Sequence, residues 1–440
     1  MTTSNPMHEA VTALGKEKLP VTFKGLPSTC IGDSLSSIGA QPINLLKGDV
    51  PMPVAVINEA RLEHNITWMS KFAAHHGISL CPHGKTTMAP QIFQRQLDAG
   101  AWGITAATAC HVRTYRQFGV SRIVLANQLT GTANINMVVD ELISDPTFDF
   151  YCLIDSTDNL DELLKVLHIR APRRPLQVLL ELGTPGGRTG VRDRATLDTI
   201  VESILAAAPL VSLRGVETYE GIITRTSMEE TELAVKGLLK KLVAVTQEGL
   251  ESNWFGDGDV LVTAGGTSFF DLVTDALSEF VSHSRVRPIL RSGCYVTHDS
   301  LHFAKEQIRM RERSGTMIGP DEGLKNALEV WACVQSVPES HRAICTLGKR
   351  DISHDMSLPA PLWWFRPGEH TLPQAVPEDL RVVALNDQHA YIDADNAIPW
   401  QAGDLVGFGI AHPCTTFDKW PLMLMVDDDY SVVGGIRTFF

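Results

Sequence analysis

The chain has 440 residues, 44% hydrophobic and 20% charged, with 34 glycines and 24 prolines in no short period. This excludes a disordered or fibrous protein and allows one large domain with an appendage, or two to three domains. The 38 Lys+Arg against 51 Asp+Glu leave a net charge of −13, which argues against nucleic acid or an anionic membrane as partner. No apolar run approaches the roughly 20 residues needed to span a bilayer. Residues 1–16 lack a signal-peptide core, and the eight cysteines are scattered without a C-x-x-C pair. Reduced thiols in a cytoplasmic protein are expected.

In chain order, residues 1–52 carry turn formers (Gly25-Leu26-Pro27, Gly32-Asp33-Ser34) and no clear period, and read as an arm. From Pro53 short β-branched or apolar runs alternate with longer amphipathic stretches, as a parallel βα architecture requires. After an opening strand (54–57) and helix (59–75), eight strands are predicted near 78–82, 102–106, 122–126, 149–154, 176–181, 213–218, 259–264 and 286–291. The segments between them contain amphipathic helices, for example 89–97, 160–168 and 228–248; the weakest is 134–142. The size predicts a (β/α)8 TIM-type barrel over 53–325, with an open doubly wound sheet as the competing arrangement. Lys85, Asn127, Asp155, Tyr219, Gly265-Gly266 and Gly293 come just after strands, which in a barrel is the rim where active sites are assembled. Beyond 325 the helical pattern fades. Runs at 330–335, 343–347, 380–385, 390–392 and 422–426 predict a β-rich domain over 326–440. The 54–57 strand and part of the arm are candidates to join its sheet.

Three groups of residues could carry chemistry. In Cys81-Pro82-His83-Gly84-Lys85-Thr86 the Gly-Lys-Thr invites a phosphate-loop reading, but that motif needs glycine at position 79, which is Ser79. Lys85 reads either as an ordinary surface lysine or, if desolvated, as a Schiff-base nucleophile. Glycine-rich turns follow late strands at 183–190, at Ala264-Gly265-Gly266-Thr267 and at Ser292-Gly293-Cys294-Tyr295. The backbone N–H groups of such turns suit the phosphate of a cofactor. Finally, His412-Pro413-Cys414 offers imidazole and thiolate, favoured zinc ligands that need a third from elsewhere, and Asp387-Gln388-His389 is a further polar cluster. Trp363-Trp364-Phe365 reads as packing.

Together these motifs resemble the fold-type III, alanine-racemase-like pyridoxal-phosphate enzymes, and most closely the D-serine dehydratase and D-threonine aldolase family. The carriers are Pro82-His83-Gly84-Lys85-Thr86, Gly187-Arg188-Thr189-Gly190-Val191, Glu217-Thr218-Tyr219-Glu220-Gly221, the two late glycine turns, Asn386-Asp387-Gln388-His389 and His412-Pro413-Cys414-Thr415-Thr416. The match begins near Pro53 and runs to the C-terminus. The resemblance implies that Lys85 forms the Schiff base with pyridoxal phosphate and that Arg188 lies beside the ring. It implies that Tyr219 contacts ring or phosphate, and that Gly265, Gly266, Thr267, Gly293 and Tyr295 hold the phosphate. His412 and Cys414 would bind zinc or another divalent metal, and His83, Gln388 and His389 are candidate substrate contacts. Thr87 departs from many relatives, which have histidine there.

Within the resembled family, His-x-Asp marks the aldolase branch and His-x-Cys the dehydratase branch, whose thiolate favours zinc. The expectation is therefore a D-amino-acid dehydratase that eliminates the β-hydroxyl of a D-3-hydroxy amino acid to give a 2-oxo acid and ammonia. The alternative is an aldolase releasing glycine and an aldehyde. A racemase would need a second base, which the sequence does not identify, and a non-catalytic carrier would be a bare barrel. The last motif is also similar to that of bacterial amino-acid deaminases, which leaves substrate size open. The family implies a homodimer.

Overall fold

The structure, a computed structural model, describes residues 5–314 and 323–440. Two compact units account for the chain: Met1–Trp68, Thr86–Arg95 and Cys294–Phe440 form a β-rich unit, and Met69–Lys85 with Gln96–Gly293 form the other. The first strand, β1 (Val54–Asn58), is buried at every position and belongs to the β-rich unit.

The next eight strands are β2 (Ser79–Leu80), β3 (Ile104–Ala106), β4 (Arg122–Gln128), β5 (Asp149–Ile154), β6 (Leu176–Leu182), β7 (Val211–Thr218), β8 (Val260–Ala264) and β9 (Val286–Leu290). They form one parallel sheet in the order β2-β9-β8-β7-β6-β5-β4-β3, so sequence neighbours are spatial neighbours. The two ends of that order are joined by Trp102 N–H to Leu80 O (2.7 Å) and Thr105 N–H to Pro82 O (2.8 Å), which curls the sheet into the expected barrel. Its interior is filled by Cys81, Val124, Tyr151, Leu153, Leu179, Leu261 and Ile289, with Trp102 packed against them. These strands read as near-continuous apolar runs because both faces of a parallel barrel are covered.

Helices follow each strand from β3 to β8: Ala109–Gln117, Thr132–Ser144, Thr157–Arg170, Arg194–Ala206, Met228–Glu251 and Phe270–Leu277. Four begin with side-chain caps at Thr108, Ser156, Asp193 and Ser227. The segment 134–142, the weakest in the sequence, lies within a regular 13-residue helix that buries Ile135, Val138, Val139 and Leu142 at helical spacing. Its start is hard to see in the sequence because Gly131 occupies the N-cap and offers no side-chain oxygen.

The second sheet has ten strands: β1 with β10 (Leu328–Glu339), β11 (Arg342–Cys345), β12 (Ala360–Phe365), β13 (Gln374–Ala375), β14 (Arg381–Leu385), β15 (Ala390–Asp393), β16 (Leu405–Gly409), β17 (Leu422–Val426) and β18 (Val432–Arg437). Its main path is β13-β12-β16-β10-β1-β17-β18, and pairings are antiparallel except β1 with β17. The arm contributes the helix Pro6–Leu14 and bonds to the same unit through Leu45 N–H to Tyr430 O (3.0 Å) and Val432 N–H to Ile43 O (2.9 Å). Trp363, Trp364 and Phe365 lie in β12. Among the described residues, no helix is long and apolar enough to cross a membrane.

Candidate active site

In the barrel unit, the chain leaves β2 through Cys81, Pro82 and His83 into a 3-10 turn that carries Lys85. Gly84 is required by close approach: a Cβ there would lie 2.6 Å from the Tyr115 hydroxyl oxygen and 2.8 Å from Ile104 Cγ2. Lys85 is half-buried, and its charge is felt by two histidines. Burial, and then Lys85, push His83 well below the ordinary imidazole range. The same two causes push His111, on the helix after β3, down to about 4. Both rings are therefore neutral near pH 7. His83 Nδ1 is buried with no hydrogen-bond partner among the described residues, which marks it as a group open to a further partner.

Further round the same barrel, Tyr219 follows β7, and the Arg188 guanidinium lies 5.1 Å from its ring centroid. Both line a small cleft with Glu181, Gly183, Thr184 and Thr189. Glu220 is fully buried and accepts from the N–H groups of Gly265 (3.0 Å) and Gly266 (2.7 Å). The turn after β8 is thus an anion-binding pair of donors that already holds a carboxylate. Thr267 beside it is buried. Arg291, two residues before Gly293, is also buried; it pairs with Glu217 and donates to Thr263 Oγ1 (3.2 Å) and Thr218 O (3.1 Å). Burial pushes the Glu217 carboxyl up to about 7 against the pull of Arg291, with Glu181 and Glu220 adding to the rise.

In the β-rich unit, Cys294 Sγ, a His412 ring nitrogen and Cys414 Sγ lie within 4.8 Å of one another. The two sulfurs are 3.6 Å apart. Zinc–sulfur bonds of about 2.3 Å at a tetrahedral angle place two thiolates about 3.8 Å apart, so the spacing suits one shared ion. His412 Nδ1 donates to Asp355 Oδ2 (2.6 Å), which leaves Nε2 for a metal, and Asp355 in turn accepts from Thr415 Oγ1 (2.7 Å). This is the outer-shell arrangement that fixes a ligating histidine. Thr86 Oγ1 lies 3.5 Å from Cys414 Sγ and 3.9 Å from Cys294 Sγ. Cys414 sits well below the ordinary thiol range, chiefly through the hydrogen bond to Cys294 and then His412, against burial. Burial opposes His412, but Cys414 and Asp355 raise it to about 9. A thiolate is the form a metal takes.

The histidine and cysteine read from the sequence are thus brought together with a third donor that the sequence reading left among the unassigned thiols. Cys294 lies 120 positions from Cys414. Its only signal was a cysteine in a glycine turn, with a metal pair elsewhere short of a ligand. Asp355 had no motif at all. Gly293 belongs to the barrel unit, whereas Tyr295, fully buried in a 3-10 turn, belongs to the β-rich unit. Gln388 is exposed and His389 half-buried in the hairpin between β14 and β15, closed by Asn386 N–H to His389 O (2.9 Å). Thr87 is buried beside Thr86.

The residues present fit a pyridoxal-phosphate-type group in three ways: an amine at a strand end, an aromatic ring under a guanidinium, and a backbone donor pair that binds an anion. The Cys-His-Cys donors fit a divalent metal of borderline softness.

Comparison with known proteins follows the same lines. Residues 57–251 match the family model "Alanine racemase, N-terminal domain", and residues 327–426 match "Putative serine dehydratase domain". The chain is 25% identical over 356 residues to a D-threonine aldolase of Arthrobacter sp, covering 81% of this chain and 83% of that protein. Among solved structures it is similar to a D-threonine aldolase from Filomicrobium marinum (TM-score 0.73, 19% identity, 90% of this chain and 97% of the other). It is also similar to a D-threo-3-hydroxyaspartate dehydratase from a Delftia species (TM-score 0.69, 20% identity, 90% and 99%).

Proposed function

Because the chain belongs to the alanine-racemase-like, fold-type III pyridoxal-phosphate family, we propose that it is a pyridoxal-phosphate- and zinc-dependent lyase. Its reaction is elimination of the β-hydroxyl from a D-3-hydroxy amino acid, giving a 2-oxo acid and ammonia. The observation that carries elimination is the Cys294-His412-Cys414 donor set: two thiolates and an imidazole select zinc over the harder magnesium or manganese.

In this reading Lys85 holds the cofactor covalently, Arg188 and Tyr219 flank its ring, and Gly265, Gly266, Thr267, Gly293 and Tyr295 hold its phosphate. Bound there, pyridoxal phosphate supplies an electron sink for charge developing at the substrate's Cα. The Lys85 amine, freed by the substrate, takes the α-proton. His83 and His111, held neutral by burial and by Lys85, add no positive charge beside that amine. A zinc ion on Cys294, His412 and Cys414 supplies Lewis acidity at the β-hydroxyl. Asp355 engages His412 Nδ1, which would leave Nε2 as the donor to such an ion. His83, Gln388 and His389 are the candidate substrate contacts, and a homodimer, to be checked by sedimentation, belongs to the same reading.

The retro-aldol reaction is the second reading, favoured by the similarity to a D-threonine aldolase over most of both chains. There a base takes the β-hydroxyl proton, Cα–Cβ breaks, and glycine and an aldehyde appear. D-serine, D-threonine and D-threo-3-hydroxyaspartate, assayed for ammonia and for aldehyde with and without added zinc, separate the two. Ammonia with 2-oxo acid is expected. Aldehyde with glycine transfers the assignment to the aldolase, and no turnover of any of the three rejects both.

A further inference from the structure

Glu220 has no part in the chemistry above, yet its placement is specific. Its two carboxylate oxygens are shared out one to each of two consecutive backbone donors, Oε2 to Gly265 N–H and Oε1 to Gly266 N–H. Gly265 adopts φ +121°, a conformation that L side chains rarely reach, and a Cβ there would lie 3.2 Å from Leu290 Cδ2. A Cβ on Gly266 would lie 3.2 Å from Tyr219 Cε2 and 3.7 Å from Glu220 Oε1. Both glycines therefore keep the two N–H groups open to an oxyanion, and the oxyanion they meet is one of the protein's own.

A backbone donor pair of this kind cannot give the same two hydrogens fully to a carboxylate and to a phosphate. Arg291 is a cation that acts on Glu220, but its own N–H groups are already engaged. The buried Arg291 is committed to Glu217, Thr263 and Thr218, and Glu181 and Glu217 add negative charge around it. Resting on the pyridoxal-phosphate reading, we propose that Glu220 is an internal competitor for the cofactor's phosphate. Its carboxylate and the phosphate take the Gly265 and Gly266 N–H groups in turn, so Glu220 sets how tightly the cofactor is held and how readily the chain gives it up. The carboxylate keeps the donor pair satisfied when the cofactor is absent. It is also poorly solvated where it sits: burial raises its pKa against the two N–H bonds.

The test compares full-length wild type with Glu220→Ala and Glu220→Gln, each stripped of cofactor with hydroxylamine. Three probes are titrated: pyridoxal phosphate, pyridoxal without the phosphate, and inorganic phosphate read by competition. Glu220→Ala is expected to bind pyridoxal phosphate at least about tenfold more tightly, equivalent to about 1.4 kcal/mol. Inorganic phosphate should tighten by a similar factor, and pyridoxal should stay within about twofold. Glu220→Gln keeps the shape without the charge and should shift in the same direction. If both variants keep the wild-type circular dichroism spectrum and bind pyridoxal phosphate equally or more weakly, Glu220 only scaffolds the turn and the proposal falls. A parallel change for pyridoxal overturns it too. A wild type that binds neither pyridoxal nor its phosphate rejects the cofactor reading itself, whereas one that binds both, with unchanged variants, rejects only the role of Glu220.

Discussion

Cys294 shows what a single side chain adds. A His-x-Cys pair offers two donors; Cys294 Sγ, 3.6 Å from Cys414 Sγ, would make three in the proposed zinc site and would leave a fourth position open, as a catalytic zinc requires. Loss of an outer-shell partner costs 10–100-fold in metal affinity, so Asp355→Ala should weaken zinc binding by about that much. Cys294→Ala should cost more, above about a hundredfold, measured by competition with a chromogenic chelator. Zinc affinity within tenfold of wild type in Cys294→Ala would remove it from the ligand set. Lys85 and the His412/Cys414 pair were readable from the sequence because local chemistry marks them: an amine just past a strand, two metal-binding side chains two positions apart. Cys294 and Asp355 were not, because nothing in their neighbouring residues depends on the metal.

The strands and helices of the barrel were legible because a parallel strand covered on both faces must be apolar along its length, and the helices between must be apolar on one side. The β-rich unit was legible only in part. Trp363-Trp364-Phe365, which reads as packing, lies in strand β12, and β16 and β18 carry glycines (Gly407, Gly409, Gly434, Gly435) that dilute a strand's composition. The helix Met228–Glu251 has the clearest start. Ser227 Oγ accepts from Glu230 N–H (3.1 Å) while the Glu230 carboxylate accepts from Ser227 N–H (3.2 Å), a capping box. Ser227→Ala should cost about 1 kcal/mol, visible as a fall of about 2–4 °C in melting temperature, with no change in metal content. An unchanged melting temperature would mean that this helix is held by its buried face alone.

At the scale of the whole chain, the residues proposed to hold the metal and those proposed to hold the cofactor fall in different compact units. Cys294, His412 and Cys414 belong to one; Lys85, Arg188, Tyr219, Gly265 and Gly266 belong to the other. Metal and cofactor should therefore be separable. Chelation is expected to abolish elimination while the absorbance of the Lys85-bound cofactor persists, and added zinc should restore turnover. Full turnover in protein shown by elemental analysis to be free of metal would refute the metal's part in the reaction.

The sequence by itself determined the βα alternation, the strand-end position of Lys85, the glycine turns and the His-x-Cys pair, because each depends on local periodicity or on chemistry within a few residues. Its charge of −13 argues against nucleic-acid or anionic-membrane partners without locating a site. Only the tertiary structure decided which end of the sheet meets which, through the N–H groups of Trp102 and Thr105 at β3, which donate to Leu80 and Pro82 of the β2 segment. It alone brought Cys294 beside Cys414, 120 positions away, and it alone filled the Gly265-Gly266 donors with the carboxylate of Glu220. Those are contacts between residues far apart in the chain. They are set by how strands close and loops pack, and no local pattern of residues records them.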